Sequence, residues 1–105
     1  MTAARLRVLW SAPLNPAEFD RHYREVHIPL ALKLPGLRRY TLSRASPPTE
    51  DTGKPYLVAE LDFDDLAALN AAISSPAGEA AAADGAHLSA NATVESAIYV
   101  LEDVL

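Results

Sequence analysis

Three histidines are the side chains of this sequence best suited to proton transfer, and His27 is the strongest candidate among them. An imidazole titrates at about pH 6.5, close to where a general acid or base must work. His27 follows Tyr23 by one predicted helical turn and comes just before Pro29. This position at the edge of an apolar helix face could aim the ring into a cavity. In the alternative, structural role, the ring bonds to carbonyls freed by Pro29 or pairs with Asp20.

Aromatic residues near His27 could bind a ligand. Tyr23 lies on the same inward face of the predicted helix and could offer a phenolic hydrogen bond, although an inward tyrosine more often completes a core. Trp10 ends the apolar row of a predicted strand. Its indole could form one wall of a pocket for a flat ligand, or could simply pack in the core.

The other two histidines do not predict a metal site. His22 precedes His27 by five residues, which on a regular helix places the two rings about 140° apart. The two rings therefore cannot hold one metal ion together from a regular helix. We expect His22 to pair with Glu18 on the outward face, and His87 to be exposed in a loop.

Length and composition describe one small domain. The chain has 105 residues, of which 50% are hydrophobic, and it has no cysteine, which excludes disulfides, zinc ribbons and thiol catalysis. No signal peptide or membrane-spanning run is recognisable, so the expected location is the cytoplasm, away from membranes. Residues 1–46 carry a net charge of +5 and residues 47–105 of −10. Because the basic residues are scattered and the whole is acidic, we expect no nucleic-acid partner.

The periodicity of apolar residues predicts six main elements. Strands are expected at residues 5–11, 37–44, 55–63 and 93–104, where apolar and polar side chains alternate or both faces are apolar. A helix is expected from the Asn15 cap to Leu34, kinked near His27 and Ile28 by Pro29. A second helix begins at Asp64 or Asp65, and a short alanine-rich turn or helix after Pro76 is expected to end at Asp84-Gly85.

This order of elements, β-α-β-β-α-β, predicts an α+β, ferredoxin-like fold, in which a four-stranded antiparallel sheet carries its helices on one face. The last predicted strand is apolar on both sides, which indicates that the second sheet face is covered too. A second copy of the chain could cover it, making a homodimer through the sheet faces. We then expect ion pairs across the dimer, between Arg38, Arg39 and Arg44 on one side and Glu95, Glu102 and Asp103 on the other.

Residues 19–30 and 34–40 resemble the EthD family. The family's pattern is Phe-x-x-(His/Tyr)-(Tyr/Trp)-x-x-x-His-x-Pro-Leu followed by Leu-Pro-Gly-Leu-x-x-Tyr, and His22, Tyr23, His27 and Tyr40 fall on its marked positions. The resemblance implies that residues 1–105 form a single EthD-like domain of the dimeric α+β barrel superfamily. It also implies a ligand cavity in each subunit, between helices and sheet. Related barrels include cofactor-free monooxygenases and cyclases of aromatic polyketides, isomerases and haem-degrading oxygenases.

The resemblance and the residues together predict a catabolic small-molecule enzyme without metal or organic cofactor. Its substrate would be a small aromatic, lactone or polyketide-like compound, and its activity that of a monooxygenase, cyclase or isomerase. His27 would transfer the proton, and the remaining candidates would contact the ligand, namely Tyr23, Trp10, Tyr40 and His22. Because just one good acid–base residue is visible, a non-catalytic ligand-binding or assembly protein on the same barrel is the alternative.

Overall fold

Four antiparallel strands form one sheet in the order β2-β3-β1-β4. The computed structural model describes residues 2–44, 55–92 and 96–104, and leaves out the side chains of residues 91 and 92. The strands are β1 (Ala4–Trp10), β2 (Arg39–Ser43), β3 (Leu57–Phe63) and β4 (Ser96–Glu102). This topology confirms the predicted ferredoxin-like α+β fold. The loop predicted at 45–54 and the start of the last predicted strand, 93–95, lie outside the described residues.

Alternation along the strands divides the sheet into a helix-covered face and a charged face. On β3 every second side chain, from Leu57 to Phe63, is buried under the helices. The intervening side chains face the other way, and there Arg7 binds Glu60 across strands at 2.6 Å. The helices therefore cover one face of the sheet, as predicted.

Several predicted inter-subunit charges already have partners within the chain. Arg38 binds Asp64 with both ends of its guanidinium fork, at 2.9 and 3.0 Å. Asp103 is held by Arg5 at 3.3 Å, and Arg44 binds Asp20, as described below for the site. Glu95, another residue expected to form an ion pair across the dimer, lies outside the described residues.

The first helical region is a regular helix interrupted by a π-helical segment. Helix α1 (Pro16–His22) begins at Asn15, whose side chain accepts the Glu18 amide hydrogen. The π-helical segment covers Tyr23–His27, and helix α2 (Ile28–Ala31) follows. The Ile28 amide donates to the Tyr23 carbonyl, five residues back. The distortion expected from Pro29 thus takes the form of a widened turn that ends at His27, two residues before the proline.

The second helical region runs further than predicted. Helix α3 (Leu66–Ser74) is capped by Asp65, and helix α4 (Pro76–Ala92) continues through Asp84-Gly85, where the sequence predicted its end. A glycine inside a helix costs about 1 kcal/mol, and tertiary packing overrides this preference here. Gly85 lies close to the Trp10 indole, and Leu88, one turn on, is 3% exposed. Within the described ranges, no helix combines the length and apolar character needed to cross a membrane.

Buried residues form two clusters under the helices. The first is mostly aliphatic and contains Leu61, Leu69 and one aromatic residue, Phe63, between the sheet and α3. The second is aromatic and joins Trp10, Phe19 and Tyr23, with Phe19 stacked on Tyr23 at 5.7 Å between ring centroids. The aromatic cluster fixes the position of the π-helical segment over the end of β1.

Helix α4 begins so close to the end of α3 that Gly78 has no room for a side chain. A Cβ at this position would overlap the backbone oxygens of Ala72 and Ile73. We predict that Gly78→Ala lowers the free energy of unfolding by about 2 kcal/mol. Gly85→Ala is the matched control, because its Cβ would meet Trp10 and His27 at 3.7 and 3.9 Å, which are ordinary contacts. Urea denaturation of both variants tests this, and equal stabilities would contradict it.

Candidate functional site

A cavity of about 360 Å³ lies between the helices and the sheet. Four of the residues singled out in the sequence, Trp10, Tyr23, His27 and Tyr40, line it together. His22 is not among the lining residues. The rest of the lining is made of aliphatic and small side chains from the strands and helices, with two serines: Leu6, Val8, Ala31, Leu34, Ala59, Leu61, Ile73, Gly78, Ala81, Ala82, Gly85, Ala86, Ser89, Ser96 and Ile98.

Small residues on α4 keep this space open. Gly78, Ala81, Ala82, Gly85 and Ala86 face the cavity at helical spacing. Larger side chains at these positions would reach the sheet and fill the space. Among the described residues that line the cavity, none carries a lysine, arginine or carboxylate side chain. The cavity is therefore suited to a mostly apolar, uncharged molecule.

Asp84 binds two imidazoles at once. One carboxylate oxygen lies 2.9 Å from His27 Nδ1, and the other lies 2.9 Å from His22 Nε2. The Asp84 side chain is 10% exposed and that of His27 is 12% exposed. A carboxylate so far from water is costly unless its oxygens accept hydrogen bonds. Both imidazoles supply one, so the helix that carries Asp84 and the segment that carries His27 are joined by this contact.

The π-helical segment is what brings the two histidines to one carboxylate. On a regular helix their rings would diverge, but a π turn takes five residues, so residues five apart return nearer to one face. The expected pairing of His22 with Glu18 is therefore wrong, because His22 binds Asp84 instead. The alternative partner suggested for His27 is wrong as well, since Asp20 accepts from Tyr56 at 2.9 Å and from Arg44 at 3.1 Å.

These hydrogen bonds set the tautomer and charge of His27. A neutral ring that donates from Nδ1 to Asp84 must carry its lone pair on Nε2. Burial lowers the pKa of His27 and outweighs the raising effect of Asp84. Burial opposes ionisation of Asp84, but the hydrogen bonds from His22 and His27 prevail and lower its pKa. At neutral pH the pair is thus a neutral imidazole on a carboxylate, and in the described part of the chain Nε2 has no hydrogen-bond partner.

Tyr23 and Tyr40 form a hydroxyl pair at the cavity wall. Their oxygens are 2.9 Å apart, and the Tyr23 ring lies 4.8 Å from the His27 ring, centroid to centroid. Burial raises the pKa of Tyr23 far above its usual value, and the contact with Tyr40 raises it further. Burial raises the pKa of Tyr40 as well, against a lowering effect of the hydrogen bond between the two hydroxyls. Both hydroxyls therefore stay protonated and available as hydrogen-bond donors.

The Trp10 indole packs edge-on against two rings of the site. The distance between ring centroids is 6.1 Å to Tyr23 and 6.0 Å to His27. Its buried Nε1 makes no hydrogen bond within the described residues. Trp10 is the one tryptophan of the sequence, so its fluorescence reports on the cavity.

Sequence reasoning missed Asp84, because Asp84-Gly85 was interpreted as the end of a helix. A signal was present in the small residues from Gly78 to Ser89, whose helical spacing continues past Gly85. His87 lies on the same helix, in place of the predicted loop, with its ring 5.6 Å from that of His22. It is exposed, as expected. In the described ranges, no group of three or more His, Cys, Asp or Glu side chains is arranged to hold a metal ion.

Solved structures with low sequence identity share the fold. A protein from Thermobifida fusca, described as dimeric and ferredoxin-like, is 16% identical and has a TM-score of 0.64, with 95% of this chain and 92% of that chain covered. SnoaB from Streptomyces nogalater, described as a cofactor-independent oxygenase, is 22% identical with a TM-score of 0.60, over 98% of this chain and 96% of the other. At these identities the likeness shows the fold alone.

Closer relatives identify the family. An EthD-family protein from Bacillus halodurans C-125 has a TM-score of 0.75 and 32% identity, and the match covers 94% of this chain and 97% of that chain. An uncharacterized 11.0 kDa protein of Rhodococcus erythropolis, from the thcB-thcC intergenic region, is 32% identical over 79% of this chain and 81% of its own length. The EthD domain model matches residues 11–91. The chain therefore belongs to the EthD family.

Proposed function

We propose that this protein is a cofactor-independent enzyme in which His27 transfers a proton to or from a small, mostly apolar molecule held between helices and sheet. The observation that carries the proposal is the 2.9 Å contact between His27 Nδ1 and Asp84 at the wall of an apolar cavity. A buried carboxylate that holds an imidazole in one tautomer is an arrangement used to make the opposite nitrogen a base.

Proton removal from a carbon next to a carbonyl is the reaction that suits these groups. His27 Nε2 accepts the proton, and the imidazolium that forms is stabilised by the Asp84 carboxylate on its other nitrogen. The electron pair left on carbon moves to the carbonyl oxygen as an enolate. Returning the proton to a different atom isomerises the substrate. If the enolate carbon instead attacks a second carbonyl of the same molecule, a carbon–carbon bond closes a ring and the proton on His27 goes to the new alkoxide. If dioxygen adds to the enolate carbon, a hydroperoxide forms, whose terminal oxygen takes the proton from His27.

Two observations favour a small aromatic, lactone or polyketide-like substrate. The cavity wall includes the flat surfaces of Trp10 and Tyr23, and the rest of its lining is largely aliphatic. A protein with the same fold, SnoaB, is described as a cofactor-independent oxygenase, so the fold can support chemistry without a cofactor. The competing function is ligand binding without turnover, which the apolar lining would equally serve.

Replacing the proposed base distinguishes the two functions. We predict that the wild-type protein catalyses deuterium exchange at the α-carbon of 1-tetralone in D₂O, and that His27→Gln slows this exchange by at least about 100-fold. His87→Gln is the matched control, because it removes an imidazole from the exposed side of α4. Proton NMR of the ketone follows the exchange. Equal rates for wild type and His27→Gln would contradict the role of His27, and binding without exchange would identify a binding protein.

Asp84 is proposed as the positioning residue for His27. Asp84→Asn removes the negative charge and the hydrogen bond that raise the pKa of His27, whereas the burial that lowers it remains. The base form exists above the pKa of His27, so we expect the acidic limb of the pH–rate profile to move to lower pH in this variant. The maximal exchange rate falls about tenfold, because the tautomer is no longer fixed. If the exchange rate instead falls by the same factor at every pH and the acidic limb stays where it is in the wild type, Asp84 has a structural role alone.

We further propose that the protein is a homodimer that joins through the charged sheet face. Tyr99 on β4 faces this side beside Arg7, and its side chain is 50% exposed in the single chain. The neighbouring side chains Ile98 and Val100 point to the opposite, helix-covered face, and their exposure of 62% and 50% does not bear on this interface. A large aromatic side chain exposed on a sheet face favours an interface there, and the Thermobifida fusca neighbour is described as dimeric.

Sedimentation equilibrium tests the dimer. We expect the wild type to sediment with twice the mass of one chain, and Tyr99→Glu to dissociate it by placing a buried charge in the interface. Leu14→Glu is the control, because it makes the same apolar-to-acidic change at a side chain that is 82% exposed and outside the sheet. A wild-type protein that is monomeric at all concentrations would overturn the proposal.

A further inference from the structure

The hydroxyl pair of Tyr23 and Tyr40 has one hydrogen left over for a ligand. Two neutral hydroxyls at 2.9 Å share one hydrogen bond, so one of the two hydrogens bridges them and the other points elsewhere. Neither residue can supply a negative charge at neutral pH, because burial raises the pKa of both hydroxyls. The pair is therefore a hydrogen-bond donor at the wall of the cavity that also contains His27.

The surroundings decide which tyrosine presents the free hydrogen. Either hydroxyl can donate across the 2.9 Å contact. Tyr23 is the more deeply buried ring, at 3% exposure, whereas Tyr40 is half-buried. The more exposed residue is the one that a ligand reaches more easily, so the bridging hydrogen is assigned to Tyr23 and the free hydrogen to Tyr40.

We propose that Tyr40 Oη donates a hydrogen bond to the carbonyl oxygen of the substrate while His27 Nε2 takes a proton from the adjacent carbon, so that the site selects neutral, enolisable ketones or lactones over carboxylates. This rests on the proposed function, because it needs His27 as the base. The C–H bond breaks and an N–H bond forms on His27. The electron pair moves to the carbonyl oxygen, where the Tyr40 hydrogen bond strengthens as negative charge develops. Return of the proton restores His27.

Selection against carboxylates follows because no cationic side chain is among the described residues that line the cavity. No lysine or arginine is among the described residues that line it, and the carboxylate of Asp84 lies behind His27. A carboxylate ligand would therefore lose its hydration without gaining a cationic partner. A neutral carbonyl compound loses little hydration and gains the hydrogen bond from Tyr40.

Binding of three matched probes tests this inference. The probes are 1-tetralone, its hydrocarbon counterpart tetralin, and the anion 1-naphthoate, and the fluorescence of Trp10 reports occupancy. We expect wild type to bind tetralone about tenfold more tightly than tetralin and at least about tenfold more tightly than naphthoate. Tyr40→Phe should remove the preference for tetralone over tetralin and slow α-proton exchange by about 100-fold, while tetralin binds as before.

Tyr56→Phe is the control, because it removes a tyrosine hydroxyl that binds Asp20 outside the cavity. An unchanged tetralone preference in Tyr40→Phe, naphthoate binding equal to that of tetralone, or no binding of tetralone would each overturn the inference. Failure of the proposed function is distinguishable. If His27→Gln exchanges protons at the wild-type rate while Tyr40→Phe loses the preference, the base assignment is wrong and the carbonyl-binding role of Tyr40 stands.

Discussion

The site depends on one half-buried carboxylate that two imidazoles hold. Asp84 comes from helix α4, and its partners His22 and His27 come from the other helical region, so this contact joins the two helical regions that cover the sheet. An ionised carboxylate at this depth requires a hydrogen bond on each oxygen. That requirement fixes where α4 lies relative to the π-helical segment, and it fixes which nitrogen of His27 carries the hydrogen. The same interaction therefore determines both the packing of the helices and the chemistry of the cavity.

The cavity exists because α4 presents small side chains to the sheet where a core helix would ordinarily present leucines. Gly78 lets α4 begin against the end of α3, and Gly85 lies beside the Trp10 indole. The space left between them is mostly apolar, and its polar groups are concentrated on His27 and the two tyrosine hydroxyls. An unfilled space of this kind lowers the free energy of unfolding, because the side chains around it lose packing contacts. The aromatic cluster of Trp10, Phe19 and Tyr23, in which Phe19 stacks on Tyr23 and Trp10 packs edge-on against both, contributes compensating packing on one side of the space.

The fold could be predicted from the sequence because its determinants are local. Alternation gave the strands, the caps at Asn15 and Asp65 gave two helix starts, and the order of elements gave the ferredoxin-like topology. His27, Tyr23, Trp10 and Tyr40 were identified as candidates, and they do line one cavity. Asp84 was missed because its role arises from contacts 57 and 62 residues away in the chain. The π turn was missed too, since a regular helix was assumed, and this assumption turned His22 outward.

The proposed chemistry requires His27 to be a neutral imidazole at neutral pH, with its hydrogen on Nδ1 and a free lone pair on Nε2. Nitrogen-15 NMR of the histidine rings in the wild-type protein tests it most directly. We expect the His27 spectrum at pH 7 to show a protonated Nδ1 and an unprotonated Nε2, and its titration to fall below pH 6.5, because burial lowers the pKa. A doubly protonated ring at pH 7, or a hydrogen on Nε2 in place of Nδ1, would contradict the claim.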